Sequence, residues 1–194
     1  MGFFFILFNF VYSVQNPKFR MNHADHVRLL KSGIPMQGGV WADLGSGTGA
    51  FTLALAELIG PTGEIYSVDQ DAGALAEQQR AFQRQFPQMR VMYLKADFTR
   101  PLKLPELDGI VMANSLHFHR HKQSILQRVK SYLRPEGRLL MVEYNTDKGN
   151  VWVPHPMSFG TWQSEAQQAG FAHTELIATR PSSFRGEFFA AASY

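Results

Sequence analysis

The chain contains no cysteine, which excludes disulfides, thiolate metal sites and covalent cysteine catalysis and permits a reducing compartment, so the cytoplasm is the expected setting. It has no block of like charge either. The formal net charge of +3 comes from 19 basic and 16 acidic residues scattered along the sequence. With no basic track to follow a phosphate backbone, nucleic acid is not indicated as a partner. No apolar run reaches the ~20 residues that a membrane-spanning helix needs. Internal repeats and low-complexity segments are absent as well. What the 194 residues do hold, at 45% hydrophobic composition, is enough apolar material for one covered core and too little length for two ordinary domains.

The compositional outlier is the start, MGFFFILFNFVYSV. It lacks a basic n-region and an A-x-A cleavage site, and position 6, where a myristoylation signal wants Ser or Thr, holds Ile6. Three readings of residues 1–20 stand side by side: a start upstream of a natural first residue at Met21, an arm packed or swapped onto the domain, and a membrane-surface anchor through residues 1–14. The single domain is expected over 21–194. Its oligomeric state is not set by these residues.

From Met21 onward, short β-like runs alternate with helical periodicity, the pattern of a parallel sheet covered by helices on both faces. Asn22, with Asp25 three residues on, predicts a helix N-terminus, and that helix should run to about Lys31. Strands are expected at Val40 to Leu44, Ile65 to Val68, Val91 to Leu94, Ile110 to Ala113 and Leu139 to Val142. Between them, Phe51, Ala54, Leu55, Leu58 and Ile59 mark one helix stopped by Gly60-Pro61, Ala72 to about Gln85 a second, and Lys122 to Leu133 a third, stopped by Pro135-Glu136-Gly137. The tail predicts a loop through Asn150 and Pro156, a helix marked by Trp162, Ala166 and Ala169, and a hairpin of Thr174 to Thr179 with Gly186 to Ala192.

The segment that carries chemistry is Val40-Trp41-Ala42-Asp43-Leu44-Gly45-Ser46-Gly47-Thr48-Gly49, a strand entering a glycine-rich turn and then a helix. Glycines there permit unusual φ values and let bare backbone approach a ligand at the carboxyl edge of the sheet. The next helix aims its amide-rich end at that ligand, a favourable place for a carboxylate. Gly45-x-Gly47-x-x-Ala50 also satisfies the dinucleotide fingerprint. Three carboxylates tilt the choice. Asp43 stands two residues before the first glycine, where a nicotinamide enzyme normally has an apolar residue, and a cationic ammonium or sulfonium ligand gives it a purpose. Asp69 ends the second strand, where it can accept from both hydroxyls of a ribose. Asp97 with Phe98 ends the third, an acceptor beside an aromatic ring as an adenine site requires.

In order and spacing, Asp43 to Gly49, Asp69 and Asp97 resemble the first three motifs of the class I S-adenosylmethionine-dependent methyltransferases. That resemblance covers about Met21 to Tyr194. It implies a Rossmann-like three-layer α/β sandwich whose seven-stranded, mostly parallel sheet has an antiparallel last strand. It also implies that Asp43, Gly45, Ser46 and Gly47 line the methionine end of the cofactor, that Asp69 holds the ribose with Gln70 beside the adenosine, and that Asp97 and Phe98 lie by the adenine. Asn114, after the fourth strand, joins the cofactor set. The stretch Asn114-Ser115-Leu116-His117 and the turn Leu133-Arg134-Pro135-Glu136-Gly137 look most like the small-molecule subgroup that includes quinone C-methyltransferases. Amino-methylating DNA enzymes resemble one another in an Asn/Asp-Pro-Pro-aromatic motif after strand four, which this chain lacks.

Methyl transfer from a sulfonium is an in-line displacement on an activated carbon, so alignment and exclusion of water are the main requirements and a dedicated catalytic residue is optional. Where the nucleophile carries a proton a base is useful, and His117 is the candidate; a loop histidine of structural use is the competing reading. His117, His119 and His121 alternate, but no matching acidic cluster accompanies them and no metal is expected. Tyr144, Trp152, His155 and Phe159 are the candidate substrate wall, with Trp162 nearby, in the longest irregular aromatic-rich stretch; packing of the tail helix is the alternative. The expected activity is methyl transfer to a small molecule. A nicotinamide oxidoreductase and a non-catalytic cofactor-binding scaffold remain open as alternatives.

Overall fold

A computed structural model describes residues 21–182, 184 and 186–194; the apolar segment 1–20 lies outside the described residues. Asn22 caps the first helix, α1 (His23–Lys31), through a reciprocal pair: the Asp25 N–H donates to Asn22 Oδ1 at 3.0 Å and the Asn22 N–H to Asp25 Oδ2 at 2.9 Å. Two backbone donors that a helix start leaves orphaned are thereby satisfied. The remaining order is β1 (Val40–Leu44), α2 (Ala50–Ile59), β2 (Glu64–Asp69), α3 (Ala72–Gln85), β3 (Arg90–Lys95), β4 (Leu107–Ala113), a short 3-10 turn (Leu116–Phe118), α4 (Gln123–Ser131), β5 (Leu133–Tyr144), α5 (Phe159–Gln168), β6 (Thr174–Pro181) and β7 (Glu187–Ser193).

The strands form one seven-stranded sheet in the order β3-β2-β1-β4-β5-β7-β6. The first five are mutually parallel, and β7 runs antiparallel to both β5 and β6. Because successive strand side chains point to opposite faces, the apolar runs divide cleanly. Trp41, Ile65, Val111, Leu140, Val142 and Ala190 meet α1, α2 and α3 on one face. Ala42, Ile110, Met112, Leu139, Met141 and Phe189 meet α4 and α5 on the other. Runs apolar at every position, such as 139–142, are what a strand buried on both faces requires. Among the described residues no helix is long and apolar enough to cross a membrane.

Two expected boundaries move. Pro135-Glu136-Gly137 predicts a helix stop at Leu133 and a strand from Leu139, but α4 ends at Ser131 and β5 already begins at Leu133. Leu107 pairs with Leu133 and Gly109 with Arg138, so residues 134–137 bulge from a strand that is hydrogen-bonded on both sides of them. Trp162, grouped with the candidate wall by its sequence neighbours, is fully buried under α5 and belongs to the core.

Candidate active site

The strand order reverses between β2-β1 and β1-β4, the position where open α/β sheets bind ligands beyond the carboxyl ends of their strands. Since β3, β2, β1, β4 and β5 are parallel, their carboxyl ends share one edge. Along it lie, in spatial order, Asp97, Asp69, the glycine turn, the segment Asn114 to His117, and Glu143.

The turn is built from backbone outward. The amides of Gly45 and Ser46 both donate to the Val68 carbonyl, at 2.9 and 3.1 Å, which folds the chain back over the end of β2. Gly45 has φ +80°, and a Cβ there would come within 2.5 Å of Ser115 Cβ; glycine is demanded both by conformation and by close approach. Gly47 has φ +53° and nothing within 4 Å of an added Cβ, so its backbone borders open space. Its N–H donates to Asp69 Oδ2 at 2.7 Å, while Oδ1 takes the Asp71 N–H at 2.9 Å. Asp69 therefore pins the turn and keeps a further lone pair on each oxygen for a ligand hydroxyl. Gln70, next along, is exposed.

Asp43 is 1% exposed. Its Oδ2 accepts from Thr52 Oγ1 at 2.6 Å, and its Oδ1 has no hydrogen-bond partner among the described residues. Burial pushes this carboxyl up to about 7 against the pull of the Thr52 hydroxyl, and the charge of Asp69 adds to the rise. An orphaned oxygen beside a glycine turn is the feature that a cationic ligand would answer. Asn114 Oδ1 is likewise buried and without a partner among the described residues, and Asn114 has a positive φ, 52°. Left-handed backbone at a non-glycine residue is held only where its surroundings enforce it, and it collects at functional sites. Here the Asn114 N–H is tied to the Val142 carbonyl and the Ser115 hydroxyl donates to the Leu44 carbonyl, each at 2.9 Å. Those bonds fix the end of β4 against β5 and β1.

Asp97 closes a small turn, accepting from the Thr99 N–H at 2.9 Å and from Thr99 Oγ1 at 2.6 Å. Burial raises its carboxyl, but these two bonds and Arg100 outweigh it and hold the group below the usual carboxylate range. Phe98 does not stand open as an aromatic wall. Its ring is buried, meets His119 edge-on at 5.3 Å and underlies Gly45.

The feature that sequence reasoning missed is Glu143, fully buried at the end of β5. Its Oε2 lies 2.7 Å from His117 Nδ1, and its Oε1 accepts the His117 backbone N–H at 3.2 Å. With Glu143 ionised, its carboxylate only accepts, which would put the proton on Nδ1 and the imidazole lone pair on Nε2. The signal was present as an acidic residue directly after four apolar strand positions. The other two alternating histidines do not join the pair: His119 packs on Phe98, and His121 is exposed.

Of the candidate wall, Tyr144 and His155 are brought to this pair. The Tyr144 ring lies 6.4 Å from His117 and 4.3 Å from Phe188, and the His155 N–H donates to the His117 carbonyl at 3.0 Å. Trp152 packs with Tyr144, Val153 and Phe188. Phe159, half-buried at the start of α5, packs against Phe189 and the core.

The family described as "Methyltransferase domain" matches residues 42–139, the span from β1 into β5. The chain is 36% identical over 105 residues to the hybrid PKS-NRPS synthetase lepA of Aspergillus flavus, covering 52% of this chain and 3% of that protein. It is 28% identical over 110 residues to the ubiquinone/menaquinone biosynthesis C-methyltransferase UbiE of Pseudomonas aeruginosa, covering 56% of this chain and 43% of that one. The chain thus spans less than half the length of either relative. A SAM-dependent methyltransferase from Aquifex aeolicus superimposes over 88% of this chain and 90% of its own, with TM-score 0.68 at 19% identity. The chain therefore belongs to the methyltransferase domain family, and its fold is that of the S-adenosylmethionine-dependent methyltransferases.

Proposed function

We propose that this chain transfers a methyl group from S-adenosylmethionine to a small-molecule acceptor whose attacking atom carries a proton, such as a phenol or an activated carbon acid of the quinone type. The observation that carries this reading is the buried His117–Glu143 pair, placed two strands along the same edge from the glycine turn, roughly 10 Å at ordinary strand spacing. The names of the relatives, a quinone C-methyltransferase and a synthetase that contains a stretch similar to this one, favour a compact organic acceptor over a macromolecule. A cytoplasmic setting goes with this reading.

When bound, S-adenosylmethionine supplies an electrophilic methyl carbon on a sulfonium. The residues that would hold it are the Gly45, Ser46 and Gly47 turn with Asp43 and Asn114 at the methionine end, Asp69 and Gln70 at the ribose, and Asp97 at the adenine. Phe98 supports the turn from below. The unsatisfied Asp43 and Asn114 oxygens and the open face of Gly47 fit such a group. His117, oriented by Glu143, takes the acceptor's proton through Nε2 as the nucleophile develops charge. Tyr144 at the end of β5, with Trp152 and His155 on the loop that follows it, excludes water and bears on the acceptor.

Calorimetric titration with S-adenosylhomocysteine beside NADH tests the cofactor: binding of the thioether and no response to the nicotinamide is expected, and the reverse removes this reading. A methyl-transfer screen over phenols, quinones and amines tests the rest. Silence across the panel despite firm thioether binding would assign the chain to a scaffold role.

The two turn glycines give a sharper result. Gly45→Ala should lower the unfolding midpoint, because the new methyl meets Ser115 at 2.5 Å. Gly47→Ala meets no protein atom within 4 Å, so it should cost only about 1 to 2 kcal/mol of left-handed backbone strain, while weakening S-adenosylhomocysteine at least tenfold. A Gly47→Ala protein with full affinity would place the ligand elsewhere.

A further inference from the structure

Beneath the glycine turn runs an unbroken buried chain of side-chain hydrogen bonds. The Ser46 and Ser67 hydroxyls are 2.8 Å apart, Ser67 Oγ is 2.6 Å from Gln78 Oε1, Gln78 Nε2 is 2.6 Å from Thr52 Oγ1, and Thr52 Oγ1 is 2.6 Å from Asp43 Oδ2. Ser67, Gln78 and Thr52 are each 0% exposed. Gln78 comes from the middle of α3 and lies against the turn so closely that a Cβ on Gly49 would collide with its Cγ.

Counting protons fixes the direction of this chain. Each hydroxyl has one proton to give, an amide oxygen only accepts and an amide nitrogen only donates. As placed, Gln78 Oε1 must receive from Ser67, so Ser67 has nothing left for Ser46 and must receive from it. Gln78 Nε2 gives to Thr52, and Thr52 gives to an ionised Asp43. The Ser46 hydroxyl then turns its proton inward and offers lone pairs to the ligand side. If Asp43 is protonated and donates to Thr52, every bond reverses: Thr52 gives to Oε1 of a turned-over Gln78 amide, Nε2 gives to Ser67, Ser67 gives to Ser46, and Ser46 turns its proton outward. Both arrangements satisfy all four bonds and place the Ser67 and Thr52 hydroxyl protons within the chain, whereas a mixture of the two loses a bond or strands a buried hydroxyl proton.

We propose that Gln78 is a positioning residue of the cofactor turn, whose amide couples the charge of Asp43 to the polarity of the Ser46 hydroxyl, so that the cationic amino-acid end of the ligand is taken up with release of a proton from Asp43. This rests on the S-adenosylmethionine reading above. The Asp43 O–H bond breaks, its proton passes to solvent buffer, and the ligand ammonium answers the new carboxylate. Among the described residues, Thr52 from α2, which bonds Asp43, Ser67, its register partner on β2, and Gln78, bonded to both of these, carry no charge, while the charge of Asp69 at the end of β2 favours the protonated form before ligand arrives. A carboxyl held near neutrality by burial is poised for the exchange.

The test is calorimetry of the full chain with S-adenosylhomocysteine in phosphate and in Tris, whose ionisation heats differ, at about pH 6 and about pH 8. Wild-type protein should release close to one proton per ligand at the lower pH and a small fraction at the higher, and Asp43→Asn should abolish the difference between buffers. Gln78→Met, which fills the same space without donor or acceptor, should weaken binding roughly tenfold and move the midpoint of proton release upward. A Gln78→Met protein that melts lower but keeps the wild-type proton profile would make Gln78 merely structural and overturn the proposal. Should that variant fail to fold, Thr52→Val cuts the chain one link nearer Asp43 at unchanged volume and is read the same way. Wild-type binding with no linked proton overturns this proposal alone; no thioether binding at any pH removes the cofactor reading with it.

Discussion

Replacing Glu143 by glutamine is expected to lower the rate of methyl transfer roughly 10²- to 10⁴-fold, the range that general base catalysis contributes, with S-adenosylhomocysteine affinity unchanged. The reason lies in donor and acceptor counts. Glu143 presents one oxygen to the His117 backbone N–H and the other to Nδ1, and glutamine can present an oxygen to only one of them. If it serves the backbone N–H, its amide donates to Nδ1, and the imidazole proton moves to Nε2, where the acceptor's proton should go. If it serves Nδ1, two N–H groups face each other inside the fold. Either way the base is disarmed without changing shape. His117→Ala is a poorer probe, because it leaves Oε2 of the buried Glu143 carboxyl without its imidazole partner, at a cost of about 1 to 3 kcal/mol. Single-turnover transfer of a labelled methyl group, measured beside thioether calorimetry, checks the prediction. A Glu143→Gln protein within a few-fold of wild type would remove His117 from the chemistry.

Asp43→Asn should make the protein more stable above neutrality and nearly unchanged in acid. The Asp43 carboxyl is held at about 7 in the fold against an ordinary value of 3.8. Between those values the folded chain binds a proton that the unfolded chain has lost, so stability falls as pH rises through the window and levels off above it. Complete ionisation in the fold costs on the order of 4 kcal/mol relative to the unfolded chain. Asparagine keeps an acceptor for the Thr52 hydroxyl and removes the charge. Urea unfolding at about pH 4 and about pH 8 should therefore show the wild-type midpoint dropping more than the variant's. Parallel behaviour of the two proteins would mean that Asp43 ionises without penalty. The same substitution should weaken the ligand, so stability and affinity are expected to move in opposite directions, as they do where a site is built at the expense of the fold.

Much of the proposed cofactor half of the site was legible in the order of residues. Asp43, the glycine turn, Asp69 and Asp97 stand at strand ends, and a strand end is readable because the apolar run stops there. The sheet edge then collects them, since parallel strands share a carboxyl edge. Glu143 was not found because Leu139 to Val142 read as a complete strand, and a polar residue just past such a run looks like loop; only pairing with β7 carries β5 on through Glu143 and Tyr144. Gln78 was hidden differently. Ala74, Gln78 and Phe82 recur at helical spacing on the buried face of α3, so the one polar residue in that apolar stripe was itself the signal. The turn at 134–137 misled because turn residues terminate elements locally, whereas here the Leu107–Leu133 pairing restarts the strand first.

What the sequence determined by itself is local and periodic: the capped α1, the alternation of strand and helix, the glycine turn, and the apolar runs that must be covered on both faces. Those arise from backbone stereochemistry and the spacing of side chains, which act over a few residues. Only the tertiary structure decided which polar groups meet. His117 and Glu143 are 26 positions apart, and Gln78 and Thr52 likewise. They come together because a buried donor or acceptor must find its partner wherever the sheet order puts one, and no short-range pattern records that order.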